Sequence, residues 1–295
     1  ARDRMNVAFV GVGNLGRHLA ANVLRAGFGL TVHDRSREAA ERLLAAGAAW
    51  ADSPAAAARD AEVAVTCLPS VAALEEVVPA LLGSLPRGAT WIDTSTSSPA
   101  VTKRLAEAAA AHGVATLEAP VTGGVERAAA GAITVLVGGD EALFERHRPL
   151  LAALGDPVIY LGPLTTASAM KVITNMLAFV HLVAAGDALM LARRAGIDLE
   201  QAYEVIRASS GNSFVHETES RLILDGSYDV GFTLDLALKD IGFALDLGRA
   251  HGVPLGLAAV AEDAFRRARE RYGGAAQSPT VVKLLEDDLG TDLRR

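Results

Sequence analysis

The hydrophobic pattern of the chain changes once, near residue 162. Before that point, short apolar runs of strand length alternate with stretches in which apolar residues recur at helical spacing. Strands that alternate with helices predict parallel βαβ units, and strands that are apolar throughout predict a sheet with helices on both faces. The strand-like runs are Asn6–Val10, Leu30–His33, Val63–Leu68, Thr90–Asp93, Val114–Leu117, Ile133–Val137 and Val158–Leu161.

Beyond Pro163 the strand-like runs stop, and a helical pattern extends from about Thr166 to Arg194. Further helical segments follow, separated by breaks that contain glycine or proline. The sequence therefore predicts an α/β domain, doubly wound around a mainly parallel sheet, over residues 1–162. An all-helical domain is predicted over residues 163–295, and the long helix joins the two.

Composition and charge exclude several classes of protein. With 51% hydrophobic and 21% charged residues, the 295-residue chain has a globular composition. A net charge of −7 argues against nucleic acid as a partner. The single cysteine, Cys67, fits a reducing compartment, and its apolar neighbours favour a core thiol over a nucleophile.

Neither a secretion signal nor a membrane segment is predicted. The first residues, Ala1–Arg4, are charged, and the apolar run that follows them is short. The longest apolar segment, Met176–Gly186, is interrupted by His181 and is shorter than a bilayer span. We therefore expect a soluble, cytoplasmic protein without a membrane partner.

The first predicted strand runs into a glycine-rich turn that opens a helix. The G-x-G-x-x-G pattern allows a tight turn at Gly11, close approach of a pyrophosphate to the backbone at Gly13, and close packing of helix on strand at Gly16. Free amides at the start of the helix would face the phosphates. The predicted cofactor contacts of this turn are Gly11, Val12, Gly13, Asn14, Leu15 and Gly16.

The next predicted strand leads to Asp34, at the spacing of an acidic residue that holds a ribose 2′-hydroxyl. A carboxylate repels a 2′-phosphate, so Asp34 favours NAD. The neighbouring Arg35 could pair with such a phosphate and leaves NADP open. A metal is not predicted, because the seven histidines are scattered, without a pair at ligand spacing.

The stretch "APVTGG" and the long helix supply a second group of candidates. Gly123 and Gly124 permit unusual backbone angles, and successive amides there can bind an anion, beside the Thr122 hydroxyl. Lys171 interrupts an apolar helix, and Asn175 lies one turn further on the same face. The chain has four lysines against 24 arginines, and arginine cannot serve as a base, so this lysine suggests a titrating role.

Taken together, these stretches resemble the β-hydroxyacid dehydrogenase family, which includes 3-hydroxyisobutyrate dehydrogenase and tartronate semialdehyde reductase. The resemblance follows nearly the whole chain in order, and its motifs are more specific together than singly. They are "GVGNLG" (11–16), "CLP" (67–69), "DTSTSSP" (93–99), "APVTGG" (119–124), "GAITVLVGG" (131–139), "MKVITN" (170–175) and "LALKD" (236–240).

The resemblance implies a Rossmann-like domain joined by a long helix to an all-helical domain, and it implies residue roles. Lys171 would be the catalytic lysine and Asn175 would orient the substrate. The substrate carboxylate would be held by Thr122, Gly123 and Gly124, and the cofactor would be contacted by Leu68, Pro69, Thr96 and Lys239. Family members are usually dimers or tetramers, so we expect a homodimer or a homotetramer.

Three departures from the family pattern stand out. Thr174 replaces the first asparagine of the usual K-x-x-N-N, whereas Asn175 is kept. Thr122 stands where serine is commoner, which preserves the hydroxyl. The glycine-rich lead into the long helix is also thinned, to "GPLTTAS".

The implied reaction is hydride transfer between a small β-hydroxyacid and NAD or NADP, with Lys171 moving the proton of the substrate oxygen. Burial in an apolar environment lowers the pKa of a lysine, which suits that task.

The substrate is left open between 3-hydroxyisobutyrate, tartronate semialdehyde or glycerate, 4-hydroxybutyrate, and polyhydroxy acids such as threonate. Two rivals are an imine reductase, which generally lacks the lysine, and a cofactor-binding sensor or interaction module without turnover.

The stretch "SSGNSFVHE" (209–217) allows two interpretations. It could present Asn212, Ser213 or His216 to the distal part of a substrate. It could also be a turn between helices capped by Asn212, which we favour slightly. The polar "GNS" leans towards a hydroxylated substrate.

Overall fold

The nine strands of the sheet contain most of the predicted apolar runs. The computed structural model describes residues 5–295, so the charged start Ala1–Arg4, on which the signal-peptide argument rests, lies outside the described residues. The strands are β1 (Asn6–Val10), β2 (Gly29–His33), β3 (Ala49–Trp50), β4 (Val63–Thr66), β5 (Thr90–Asp93), β6 (Ala115–Glu118), β7 (Val121–Thr122), β8 (Thr134–Gly139) and β9 (Val158–Tyr160).

Strand order in the sheet is β3-β2-β1-β4-β5-β6-β8-β7, and β9 pairs with β8. The strands from β3 to β6 are all parallel, whereas β8 runs antiparallel to β6 and to β7. The order reverses at β1, which lies between β2 and β4, and such a reversal opens a crevice beyond the carboxyl ends of the strands. The prediction of a doubly wound, mainly parallel Rossmann-like sheet is confirmed.

Helices cover both faces of this sheet. The helices of the chain are α1 (Gly16–Arg25), α2 (Glu41–Ala45), α3 (Pro54–Ala58), α4 (Val71–Leu82), α5 (Pro99–Ala111), α6 (Gly124–Ala129), α7 (Glu141–Leu154), α8 (Thr166–Arg194), α9 (Leu199–Arg207), α10 (Phe214–Asp225), α11 (Leu234–Ala250), α12 (Gly256–Tyr272) and α13 (Lys283–Leu289), with 3₁₀ turns at Arg37–Ala40 and Ser278–Val282.

Alternation along β1 shows why the strands read as apolar throughout. Val7 and Phe9 pack into one core with α1 and α7, whereas Ala8 and Val10 pack into a second core with α4 and α5. Successive side chains of a strand point to opposite faces, so a sheet with two covered faces needs apolar residues at every position.

Two sequence-based details differ in the structure. The composition of Arg37–Ala46, rich in Ala, Leu and Glu, predicts one helix, whereas the structure has a 3₁₀ turn followed by the short helix α2. The short strands β3 and β7 were not predicted, because two-residue strands leave no periodic signal.

The chain divides into two units, Ala1–Lys171 and Val172–Arg295, and the division falls inside α8. The boundary predicted near residue 162 stays a prediction. The second unit consists of helices around its own apolar core, in which Phe179 packs edge-on against Phe265. These helices form because apolar residues recur at helical spacing and pack into this core. Helix α10 ends at Gly226, which has the left-handed conformation that glycine adopts readily.

Helix α8 corrects the argument about membranes. It has 29 residues and an 18-residue window of mean hydropathy 1.6, so by length and composition alone it is long and apolar enough to cross a membrane. The prediction that the apolar segment is too short is therefore wrong. A core helix passes the same test, and Leu182, Leu189 and Met190 of α8 belong to the core of the helical unit.

Candidate functional site

The glycine turn between β1 and α1 has the geometry that its spacing predicts. Gly11 has a φ of +95°, and a Cβ added to it would lie 2.3 Å from the backbone oxygen of Cys67. A Cβ on Gly16 would lie 2.0 Å from the backbone oxygen of Gly11, so helix and strand pack too closely for a side chain. Gly13 is exposed and has open space at its Cβ position. Gly11 and Gly16 are thus required by packing, whereas Gly13 leaves space for a ligand at the protein surface.

Asp34 follows β2 and binds the glycine turn directly. Its Oδ2 accepts a hydrogen bond from the backbone amide of Val12 at 2.9 Å, and its Oδ1 accepts one from the amide of Ser36 at 3.1 Å. Each carboxylate oxygen can accept a second hydrogen bond, so both remain able to bind a ribose hydroxyl. Arg35 beside it is exposed. Asn14 and Leu15 complete the turn, with Asn14 exposed and Leu15 half-buried before α1 begins.

The segment after β4 is tied to the segment after β5. The amide of Leu68 donates to Ser95 Oγ at 2.9 Å, and Pro69 next to it is exposed. The hydroxyl of Thr94 donates to the backbone oxygen of Thr66 at 2.7 Å. Thr96 follows these residues and is half-buried. The predicted nicotinamide-side residues therefore lie on two loops that hydrogen bonds hold together at one edge of the sheet.

Beneath these loops lies a buried carboxyl, Asp93, at the end of β5. Its Oδ1 accepts from the hydroxyl of Thr66 at 2.7 Å and from the amide of Ser95 at 3.1 Å. Burial raises the pKa of Asp93 to about 6, although the hydrogen bonds from Ser95 and Thr66 act in the opposite direction. The thiol of Cys67 is also affected: burial raises its pKa to about 11, which agrees with a core thiol.

The stretch from Thr122 to Gly124 ends β7 and opens α6. Gly123 and Gly124 have φ angles of +128° and +84°, a region that residues with side chains rarely adopt. Thr122 and Gly123 are half-buried and Gly124 is exposed. The two glycines are needed for this turn, and their backbone is accessible.

Lys171 lies on the second turn of α8 and is 7% exposed. Among residues 5–295 it is the only buried lysine or arginine. Such a residue has an energetic cost, because a charged amine loses hydration on burial. Asn175 follows one turn later on the same helix, and its Nδ2 donates to Asp240 Oδ2 at 2.7 Å.

Lys239 and Asp240 are neighbours on α11 in the helical unit. Lys239 Nζ lies 3.1 Å from Asp240 Oδ1, and Asp240 is 1% exposed. Within this unit, the carboxylate of Asp240 therefore contacts both Asn175 and Lys239, to which the family resemblance assigns substrate and cofactor roles.

The stretch from Ser209 to Glu217 is a turn, and its cap differs from the expected one. Ser213 caps α10 by accepting from the amide of His216, so the prediction that Asn212 is the cap is wrong. His216 is 1% exposed; its ring contacts the backbone oxygen of Tyr203 and the hydroxyl of Ser220. Its burial and these two contacts favour a structural role for the imidazole, and the contact of this stretch with a substrate stays a prediction.

Within the described part of the chain, His, Cys, Asp and Glu side chains form no group of three that could hold a metal ion. The residues do fit a dinucleotide. Gly13 leaves the space a side chain would fill, the turn presents amides at the start of α1, and Asp34 lies beside that turn. Fold and turn together define a dinucleotide-binding protein of the Rossmann type.

Comparisons with known proteins narrow this class. Residues 6–162 match the family model for the NAD binding domain of 6-phosphogluconate dehydrogenase. Residues 165–285 match the model described as NAD-binding of NADP-dependent 3-hydroxyisobutyrate dehydrogenase.

Three similar proteins illustrate the relationship. The 2-(hydroxymethyl)glutarate dehydrogenase of Eubacterium barkeri is 30% identical over 98% of this chain and 97% of its own length. The L-threonate dehydrogenase of Pectobacterium atrosepticum is 33% identical over 94% of this chain and 93% of its own. A crystal structure of 3-hydroxyisobutyrate dehydrogenase from Salmonella typhimurium superimposes with a TM-score of 0.88 at 32% identity, covering 95% of this chain and 99% of that one.

The chain belongs to the β-hydroxyacid dehydrogenase family. It is an NAD(P)-dependent oxidoreductase, as the resemblance predicts.

Sequence reasoning assigned no role to three buried carboxyls, Asp93, Glu118 and Asp240. Asp93 and Glu118 are the last residues of the strands β5 and β6. A carboxyl at the end of an apolar strand is a signal that the sequence contains. A carboxylate in a strand with two covered faces must find hydrogen-bond donors inside the fold. The identity of those donors, however, depends on the tertiary structure.

Proposed function

We propose that this protein interconverts a small β-hydroxyacid and the corresponding semialdehyde or keto acid, with Lys171 as general acid and base. The observation that carries the proposal is the burial of Lys171, the single buried lysine or arginine among the described residues. Burial disfavours the charged form of an amine, so a buried lysine loses its proton more easily than an exposed one. An arginine in the same place would stay protonated.

Bound nicotinamide supplies the hydride acceptor in oxidation and the donor in reduction. The chain supplies the rest of the reaction. Lys171 takes the hydroxyl proton of the substrate in one direction and returns it in the other. The amides of Gly123 and Gly124 and the hydroxyl of Thr122 hold the substrate carboxylate, and Asn175 orients the substrate.

The preferred cofactor in this proposal is NAD. The carboxylate of Asp34 is fixed by the amides of Val12 and Ser36 and cannot easily turn away from a 2′-phosphate. Arg35 is exposed and keeps NADP as the alternative. The remaining cofactor contacts in the proposal are the glycine turn, Leu68, Pro69, Thr96 and Lys239.

For the substrate, 3-hydroxyisobutyrate is the first candidate. A polyhydroxy acid such as threonate is the second, because a relative named L-threonate dehydrogenase aligns over 94% of the chain. Glycerate, the alcohol that corresponds to tartronate semialdehyde, and 4-hydroxybutyrate belong to the same panel. We place the enzyme in the cytoplasm and expect it to work without a metal.

The assembly in this proposal is a homodimer or a homotetramer built through α8. Apolar residues at helical spacing are exposed along this helix, where Met170, Ile173, Leu177 and Leu191 are between 36% and 72% exposed. A second copy of the chain would cover this stripe, which has few charges to keep it in water.

Replacement of Lys171 tests the proposed chemistry. In Lys171→Ala we expect the rate of hydride transfer to fall by about a hundredfold or more, the usual effect of losing an acid–base group. The dissociation constant of NAD, measured by fluorescence titration, is expected to change by no more than about threefold. Lys103→Ala, which removes an exposed lysine of the same unit, is the matched control and should retain the wild-type rate.

The assay uses the four acids named above with NAD and NADP, and follows absorbance of the reduced cofactor. If Lys171→Ala retained more than about a tenth of the rate, Lys171 would not be the acid–base group. If the wild-type protein bound cofactor but turned over none of the acids, a sensor without turnover would be favoured instead. Oxidation of NADH or NADPH by cyclic imines, without turnover of the acids, would favour an imine reductase.

A further inference from the structure

Glu118 ends strand β6 and is 2% exposed. Its two carboxylate oxygens are both engaged by the start of α8: Oε1 accepts from the amide of Ala167 at 2.9 Å, and Oε2 accepts from the amide of Ser168 at 3.0 Å. The first amides of a helix have no partner inside the helix, and the helix dipole favours a negative charge there. A single side chain from the sheet thus caps the long helix.

The capped turn is the one that immediately precedes Lys171. Ala167 and Ser168 lie four and three residues before it, so all three share one face of α8. A helix is stiff over so short a distance, with a rise of about 1.5 Å per residue. A carboxylate that fixes the first turn therefore fixes where the lysine leaves the helix.

The backbone immediately before α8 is strained. Thr165, the residue before the helix, has a φ of +84°, which is strained for a residue with a branched side chain. The hydrogen bonds to Glu118 offset that strain. Burial raises the pKa of Glu118, while hydrogen bonds from Ser168 and Ala167 favour the ionised form.

Gly138 on the neighbouring strand β8 makes room for this carboxylate. Glu118 and Gly138 are aligned across the antiparallel pair, and a Cβ on Gly138 would lie 2.2 Å from Glu118 Oε1. The backbone of Gly138 is not in the left-handed region, so the glycine is required by space alone. This gives a physical reason for a glycine in the stretch "GAITVLVGG", to which the sequence assigned no role.

We propose that Glu118, in the space left by Gly138, is a positioning residue that sets the location of Lys171 by holding the first turn of α8. The inference rests on the proposed role of Lys171. Glu118 itself need not touch substrate or cofactor, because it acts through the helix.

The substitution Glu118→Gln tests this with little change of shape. The amide of glutamine offers one oxygen, so its NH₂ group would face a helix amide and displace the first turn. We expect kcat to fall by about ten- to a hundredfold, as for a small misplacement of a reacting group. The dissociation constant of NAD should stay within about threefold of wild type, because the cofactor loops are not held by Glu118.

A matched control is Glu286→Gln. Glu286 is also 2% exposed and accepts hydrogen bonds, from the amide of Leu293 at 2.7 Å and from the hydroxyl of Tyr228, but it belongs to the helical unit. We expect this variant to lose thermal stability and to keep its kcat. An equal loss of kcat in both variants would make the effect of Glu118 a general loss of stability, and the inference would be wrong.

Double substitution separates positioning from an independent structural role. If Glu118 acts through Lys171, then Glu118→Gln combined with Lys171→Ala has the rate of Lys171→Ala alone. If the two losses multiply instead, Glu118 does not act through the lysine. Gly138→Ala should reproduce the loss of kcat, and it provides the test if Glu118→Gln does not fold.

Failure of this inference differs from failure of the proposed function. Full activity of Lys171→Ala would remove the catalytic role itself. Loss of activity in Lys171→Ala together with a wild-type kcat in both Glu118→Gln and Gly138→Ala would remove only the positioning role.

Discussion

At the scale of single residues, three carboxyls organise the candidate site through the backbone, and two of them, Asp93 and Glu118, are buried. Asp34 accepts from the amide of Val12, Asp93 from the amide of Ser95, and Glu118 from two amides of α8. Each links segments that are distant in sequence or fixes a loop after a strand. A carboxylate suits this task because it accepts several hydrogen bonds and each is strengthened by its charge.

Asp93 makes stability depend on pH in a specific direction. Because burial raises its pKa from 3.8 to about 6, the folded protein keeps a proton that the unfolded chain releases. The contribution of Asp93 to the free energy of unfolding is therefore largest below about pH 4 and is lost as the pH rises towards 6. In Asp93→Asn this loss is absent, while the amide oxygen can still accept from Thr66 and Ser95.

The measurement is the difference in melting temperature between Asp93→Asn and wild type at pH 5 and at pH 7.5. We expect the difference to shift in favour of the variant at the higher pH, by the equivalent of about 1–3 kcal/mol. Asp60→Asn, a change of an exposed carboxyl in the same unit, is the control and should show no such shift. A difference that is independent of pH would contradict the assigned pKa.

At the scale of elements, the turn between β1 and α1 uses its glycines for different purposes. Gly16 is required because a Cβ added to it would lie only 2.0 Å from the backbone oxygen of Gly11. Gly13 has no protein atom within 4 Å of its Cβ position. The glycine at position 16 is therefore needed for the fold. The glycine at position 13 is not needed for packing, and it leaves space for a ligand that approaches the turn from outside.

Alanine substitutions separate these two requirements. Gly16→Ala should lower the free energy of unfolding by about 1–3 kcal/mol, the usual cost of overpacking. Gly13→Ala should leave the melting temperature within about a degree of wild type and weaken NAD binding by about tenfold, which corresponds to about 1.4 kcal/mol. Thermal unfolding and cofactor titration of both variants measure this. Equal cofactor affinity in Gly13→Ala and wild type would mean that the cofactor does not approach the turn there.

At the scale of the whole molecule, the chain consists of two units, and the division between them falls within α8, whose later residues belong to the core of the helical unit. The apolar stripe on α8, formed by Met170, Ile173, Leu177 and Leu191, is exposed in the single chain. Exposed leucines at helical spacing over such a length are uncommon on a monomer.

Charged residues in this stripe test the proposed assembly through α8. For the double variant Leu177→Lys/Leu191→Lys we expect the molar mass from light scattering to fall to that of one chain, because charged side chains are costly at a covered apolar contact. Val205→Lys is the control, since Val205 is 67% exposed on α9 and lies outside the stripe. A wild-type protein that is already monomeric, or an unchanged mass in the double variant, would contradict assembly through α8.

Much of the fold could be predicted from local patterns. The strands β1, β2, β4 and β5 and the helix α8 begin and end within a few residues of the apolar runs that predict them. The glycine turn was predictable because its spacing encodes backbone geometry. The cap at Ser213 and the burial of His216 were not, since a serine beside an asparagine and a histidine in a helix each allow two environments.

The sequence by itself determined the alternation of strands and helices, the change to an all-helical pattern, and the turn that glycine alone permits. These depend on periodicity and on backbone angles, which are local. The tertiary structure decided the strand order, the antiparallel pairs of β8, and the partners of the buried carboxyls. The amides that Glu118 binds lie 49 and 50 residues away, and every residue except proline has such an amide. Side-chain identity therefore cannot mark them, and only folding brings them to the carboxylate.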